Sequence, residues 1–160
     1  MRSASVTTTP ELVTTHADPL RRDLADFIIS ARLAEEGRFE QLWARRMDED
    51  RFELCCIPFF LYDIALGDIV ATSPAEGRRY VLDHVVRKSG RFVFRAFFEE
   101  PQDSHKSVVV GELGALGAGL EWASRSLLAI DTDAPSVRAI ADYLQGCEDQ
   151  EWLVYETGAT

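Results

Sequence analysis

Hydrophobic and polar positions follow two periods along this chain, and the change between them falls near Pro101. Before it, alternation dominates. Asp18-Pro19 opens a short helical stretch through Leu20, Leu24, Phe27 and Ile28, which gives way to a strand where Phe27, Ile29, Ala31 and Leu33 alternate with Asp26, Ile28, Ser30 and Arg32. Glu35-Glu36-Gly37 then reads as a turn. Glu40 to Met47 and Arg51 to Ile57 flank Asp48-Glu49-Asp50 and predict a hairpin, with Phe52, Leu54 and Cys56 on one face of its second strand. Pro58 breaks the ladder, and Gly67-Asp68-Ile69-Val70 starts a further strand. Between Arg78 and Phe98, a Lys88-Ser89-Gly90 loop predicts a second hairpin. It aligns Tyr80, Leu82, His84 and Val86 with Phe92, Phe94, Ala96 and Phe98 as a core face. The opposite face pairs Asp83 with Arg95 and leaves Arg79, Arg87 and Arg91 toward solvent.

Beyond Pro101 the spacing becomes helical. Ser104 is placed to cap a helix whose Val109, Leu113 and Leu116 share a stripe, with Gly111, Gly114 and Gly117 as a small-residue ridge against a sheet. Ser126 to Asp131 predicts a strand, and Asp133 with Pro135 opens a second helix carrying Val137, Ile140, Ala141 and Leu144 inward. Glu151 to Thr157 is the last strand. The expected fold class is α+β: an antiparallel β meander over Asp26 to Phe98, then a ferredoxin-like split β-α-β half over Phe92 to Thr157. Its helices would lie on one sheet face. Residues 1–19 are Ser/Thr-rich and read as a flexible tail, and 20–158 as a single domain.

At 160 residues and 46% hydrophobic content, the chain suits one globular core rather than disorder. Its longest nearly apolar stretch, Val108 to Leu120, is broken by Glu112 and is too short to span a membrane, which predicts no membrane association. Three cysteines with no export signal point to a reducing cytoplasm, where they stay free. The net charge of −10 is unevenly spread: Glu99 to Thr160 holds 12 acidic and 3 basic residues, and the rest is near neutral. Nucleic acid is therefore a disfavoured partner. One local exception stands out, because Arg78, Arg79, Arg87, Lys88, Arg91 and Arg95 fall within 18 residues opposed only by Asp83. Of these, Arg79, Arg87 and Arg91 are the candidate binding residues.

Chemistry-bearing motifs are sparse. Gly111 to Gly119 lacks the strand-turn-helix context and the Lys-Ser/Thr pair of a phosphate loop, and reads as helix packing and termination. Vicinal Cys55 and Cys56 point to opposite faces of a strand and read as small buried hydrophobes, while acidic Glu148 and Asp149 beside Cys147 argue against a nucleophile. His16 lies in the tail and His84 in the expected core face. Asp133 is explained as a helix cap, which leaves Asp131 without a partner for a cation, so no metal set and no cofactor site is expected. His105 is the candidate for catalysis, because Glu99, Glu100 and Asp103 precede it at a strand end where carboxylate and imidazole could exchange protons.

Several segments taken together carry a resemblance: FEQLWAR at Phe39 to Arg45, Ile57-Pro58-Phe59, Leu66-Gly67-Asp68-Ile69-Val70, Ser89-Gly90, Leu116-Gly117, Leu128-Ala129-Ile130-Asp131 and Trp152 to Glu156. With this set the chain resembles the bacterial domain of unknown function family 4265 over roughly Asp26 to Gly158. The resemblance implies a small bacterial α+β domain and carries over no catalytic residue. The chain departs from that pattern at Cys55-Cys56, where Asp-Asn is common, and at Arg91, where a small polar residue or His usually follows Ser-Gly. The functional expectation is a non-enzymatic binding or accessory module that engages a basic protein partner through its acidic C-terminal half. The alternative is a small-molecule enzyme using the acid-base loop around His105.

Overall fold

A computed structural model of the chain describes residues 12–99 and 103–160. Its first half is β-structure that closes on itself. β2 (Phe27–Arg32), β3 (Arg38–Arg46), β4 (Arg51–Leu54), β5 (Ile69–Ala75) and β6 (Arg78–Arg87) form a ring of five strands in the order β3-β2-β6-β5-β4, shut by β3 pairing with β4. β3 makes closure feasible because its nine residues serve two neighbours, β2 along most of its length and β4 at Ala44 to Arg46. Register shifts between β5 and β6 add the bend that a small barrel needs. Period-2 alternation fills the interior with Ile29, Ala31, Leu42, Ala44, Phe52, Leu54 and Val70, all buried. β1 (Leu12–Thr14) adds in parallel to the free stretch of β3 at Arg38 to Glu40.

The second half is a four-stranded antiparallel sheet in the order β10-β7-β9-β8. It comprises β7 (Phe92–Phe97), β8 (Gly119–Trp122), β9 (Leu127–Thr132) and β10 (Val154–Ala159). α1 (Asp103–Ala115) and α2 (Val137–Asp149) cover one face, where Phe94, Ala96, Phe98, Leu128 and Ile130 meet Val109, Leu113, Ile140 and Leu144. The opposite face carries Val93 and Ala129, which pack on Ile57 and Phe59 of the loop that leaves the barrel after β4. That face also bears Arg95, whose guanidinium donates to Glu156 at 3.1 Å and to the Leu61 carbonyl, and lies over the Tyr62 ring. A Cβ at Gly158 would stand 2.9 Å from Arg95 Nη2, so a larger residue there would displace the guanidinium.

Several sequence expectations hold, among them the β3–β4 hairpin, the strand at Phe27, the Ile140–Leu144 stripe and the inward set Phe94, Ala96 and Phe98. The architecture is corrected. The meander is not an open sheet leading into a ferredoxin-like split β-α-β half; the molecule is mostly β, with a closed barrel and two helices among the described residues. The Arg78–Phe98 hairpin does not form, because both edges of β6 are taken by β5 and β2, so β7 is left to start the other sheet. Two placements follow from this. His84 is exposed beside Asp83 rather than in the core, and Arg95 pairs with Glu156 rather than Asp83. Gly111 and Gly114 are solvent-facing and form no packing ridge. Ser104 lies inside α1 rather than capping it, and the side chain of Asp133 instead accepts from Ser136 N at 2.9 Å.

The 1–19 tail also needs revision. Residues 1–11 lie outside the described residues, but Leu12 to Thr14 form a strand, and His16 and Pro19 are buried. Among the described residues, no helix is long and apolar enough to cross a membrane.

Candidate functional site

Two polar clusters lie where the barrel meets the second sheet. The first is buried. Alternation puts Glu40 on the face of β3 that carries Leu42 and Ala44, and puts Glu121 on the face of β8 opposite Leu120 and Trp122, so each carboxylate points into the junction. Between them sits His16, whose Nε2 lies 2.8 Å from Glu40 and whose Nδ1 lies 2.8 Å from Glu121. Its ring stacks on Phe59 with centroids 3.8 Å apart. Backbone supplies further donors: Ile57 N donates to Glu121 at 2.5 Å, and Phe59 N and Phe60 N donate to Glu40 at 2.9 Å, so that every carboxylate oxygen has a partner.

Neutral imidazole has one N–H, so a ring bonded to carboxylates through both nitrogens is the histidinium. Burial alone would lower its pKa, but the Cys56 thiol and the Glu121 and Glu40 carboxylates around it outweigh that and raise it to about 11. Burial in turn raises the Cys56 thiol. With every acceptor occupied and the ring inaccessible, this cluster fastens the 57–60 loop and the His16 segment in place. It presents no free group to a substrate.

The second cluster is open. A recess of about 340 Å³ has Gly67, Ile69 and Ser89 among its lining, and four cations around it, Arg21, Arg87, Lys88 and Arg91, against the single carboxylate of Glu53. Asp68 organises its floor: one oxygen accepts from Ala65 N at 3.0 Å, the other from Ser89 N at 2.8 Å. Gly67 takes a φ of +82° that other residues resist, and lets Ser89 approach. Arg91 is bound bidentately to Asp131 at 2.7 and 2.8 Å, which raises its pKa and fixes its plane. Lys88 donates to the Asp63 carbonyl, a neutral acceptor. Glu53 is shared with Arg45 at 3.3 Å. The guanidinium groups of Arg21 and Arg87 have no hydrogen bond or ion pair among the described residues.

Of the predicted binding residues, the structure brings Arg87 and Arg91 together at this recess. It leaves Arg79 eight positions up β6, roughly 26 Å away at ~3.3 Å per residue. Lys88 and Arg21 complete the set: Lys88 belongs to the basic run of the sequence but falls in its predicted turn, and nothing local marks Arg21. For the predicted acid-base loop, Glu100 lies outside the described residues, and of Asp103 only its place at the start of α1 is described. His105 stacks on Trp152 with centroids 4.4 Å apart and makes no ion pair with Glu99. Glu99 instead lines a separate recess together with Glu148 and Glu151. Cys55, Cys56 and Cys147 are buried and free.

A family model for a domain of unknown function, DUF4265, matches residues 40–155, about three quarters of the chain. The chain belongs to the DUF4265 family. Most of the recess falls inside that match, whereas His16 and Arg21 of this DUF4265 protein lie before it. A comparison with curated proteins finds no match. Among solved structures, the DUF4265 chain is similar to one described as a novel crystal structure of a hypothetical protein from Neisseria gonorrhoeae. The identity is 18% and the TM-score 0.68, over 82% of this chain and 93% of that one. That likeness shows a shared fold. It gives no support to the expected protein partner, and the acidic half is itself partly spent internally, with Glu121 on His16, Asp131 on Arg91 and Glu156 on Arg95.

Proposed function

We propose that this DUF4265 chain is a non-enzymatic binding module whose ligand is a small polyanion of the phosphate or pyrophosphate type, held in the recess between Arg21, Arg87, Lys88 and Arg91. The observation that carries this reading is charge imbalance in a concave site: beside Arg91, which Asp131 neutralises, the recess gathers Arg21, Arg87 and Lys88 against Glu53, and the guanidinium groups of Arg21 and Arg87 are unpaired among the described residues, in a protein of net charge −10. Elsewhere the acidic surface repels anions, so a walled cationic recess is where the field would gather one. Guanidinium groups also suit the ligand, because their forked donors match phosphate oxygens. The groups on offer are donors and fixed charges rather than a nucleophile with its base. Ser89 Oγ already donates to the Leu66 carbonyl at 2.8 Å.

The test is thermal unfolding in low salt with pyrophosphate. At a ligand concentration of about 100 times Kd the expected stabilisation is ~2.7 kcal/mol, or roughly 5–10 °C for a chain of this size. Arg87→Ala should remove most of that shift, and Arg79→Ala should leave it intact. An equal shift in wild type and Arg87→Ala, or none in wild type, would refute the reading.

A further inference from the structure

Arg21 reaches the recess on a segment that belongs to neither sheet. After β1 the chain crosses from the barrel to the second sheet and back, and it is anchored on the way at three points. His16 sits between Glu40 of the barrel and Glu121 of the sheet. Leu20 lies against Gly119 of β8, where a Cβ would come within 2.4 Å of its methyl carbon. Arg21 N donates to the Cys55 carbonyl at 2.9 Å, and the next residue, Cys56, is buried beside the His16 ring. Of these anchors, His16 is the charged one, and it holds both halves of the molecule at once.

The recess is built across the same junction. Arg87, Glu53 and Ile69 come from barrel strands, whereas Arg91 is tied to Asp131 of the second sheet. We infer that His16 is a positioning residue for the anion recess: its bridge between Glu40 and Glu121 sets the barrel against the sheet and holds the 15–21 segment so that Arg21 enters the recess. This inference rests on the recess reading proposed above. It follows that ligand binding and closure of the segment are linked, each favouring the other by the same factor. The chemistry of the device is a histidinium clamped by two carboxylates, and His16 does not itself line the recess.

The experiment combines pyrophosphate titration by calorimetry with hydrogen exchange on the full chain. Losing one charge-assisted contact to an anion costs about tenfold in affinity. We expect His16→Gln to weaken pyrophosphate binding by that factor, Arg21→Ala to do the same, and the double variant to be no weaker than either single one. In wild type, pyrophosphate should slow amide exchange over residues 15–22. A folded His16→Gln protein with wild-type affinity, an additive loss in the double variant, or unchanged exchange over 15–22 would each overturn the inference. Should His16→Gln fail to fold, the wild-type exchange measurement decides. Binding that persists in His16→Gln but is lost in Arg87→Ala overturns the positioning role alone. Absence of pyrophosphate binding by wild type overturns the recess and the coupling together.

Discussion

Replacing His16 by alanine is expected to lower the stability of the chain by about 3–5 kcal/mol, the usual cost of removing one partner from a buried ion pair. The structural reason is specific. Glu40 and Glu121 would face each other across a space vacated by the imidazole, with no cation between them, and Phe59 would lose the ring stacked on it at 3.8 Å. For a protein of this length the change corresponds to a fall in melting temperature on the order of 6–20 °C. Urea unfolding followed by fluorescence would measure it directly, and a loss below about 1 kcal/mol would show that the cluster relaxes or takes in water. Deleting residues 1–19 should destabilise at least as much. It removes His16 together with the β1 ladder and buried Pro19, so the segment is not the dispensable tail its composition suggests.

The second large effect is alkaline loss of stability. His16 has its pKa raised from 6.5 to about 11, held by burial working against Cys56, Glu121 and Glu40, which are the titratable groups facing it. The native state therefore keeps a proton that the unfolded chain releases above pH 6.5. The contribution is fully present below that value and is lost as pH rises through the folded one. Over that window the expected slope is about −1.4 kcal/mol per pH unit for one proton. Cys55 works in the same direction at higher pH, since burial raises its thiol from 9.0 to about 11 and favours the neutral form in the folded chain. Urea midpoints at pH 6, 8 and 9 should fall steadily in wild type and stay flat between pH 7 and 9 in His16→Gln. A flat wild-type profile would mean that His16 is neutral in the folded chain.

Much of the local structure was legible because it depends on short-range pattern. Alternation at Phe27 to Arg32, the acidic turn between β3 and β4, and the i, i+4 stripe of α2 are written in neighbouring residues, and backbone geometry translates them directly. Pairing partners were not legible in the same way. Nothing in Arg78 to Phe98 distinguishes a hairpin from two strands in different sheets, because the deciding fact is that β2 and β5 already occupy both edges of β6. That error carried His84 inward and Arg95 outward, the reverse of where they lie.

The candidate site divides along the same line. Sequence by itself determined that a cationic run sits in an acidic chain, that Cys55 and Cys56 are buried, and that the cysteines stay free; each rests on residue type or immediate spacing. Tertiary structure decided which charges count. Arg91 is neutralised by Asp131, 40 positions away, Arg79 is removed from the group along β6, and Arg21 is delivered to it from the stretch after Pro19, whose sequence reads only as a short helix. His16, Glu40 and Glu121 are separated by 24 and 105 positions. No window of sequence holds all three, and a polar residue at an inward position announces a partner only when the chain has folded to supply one, since burying a charge is tolerable only with its counter-charge in reach.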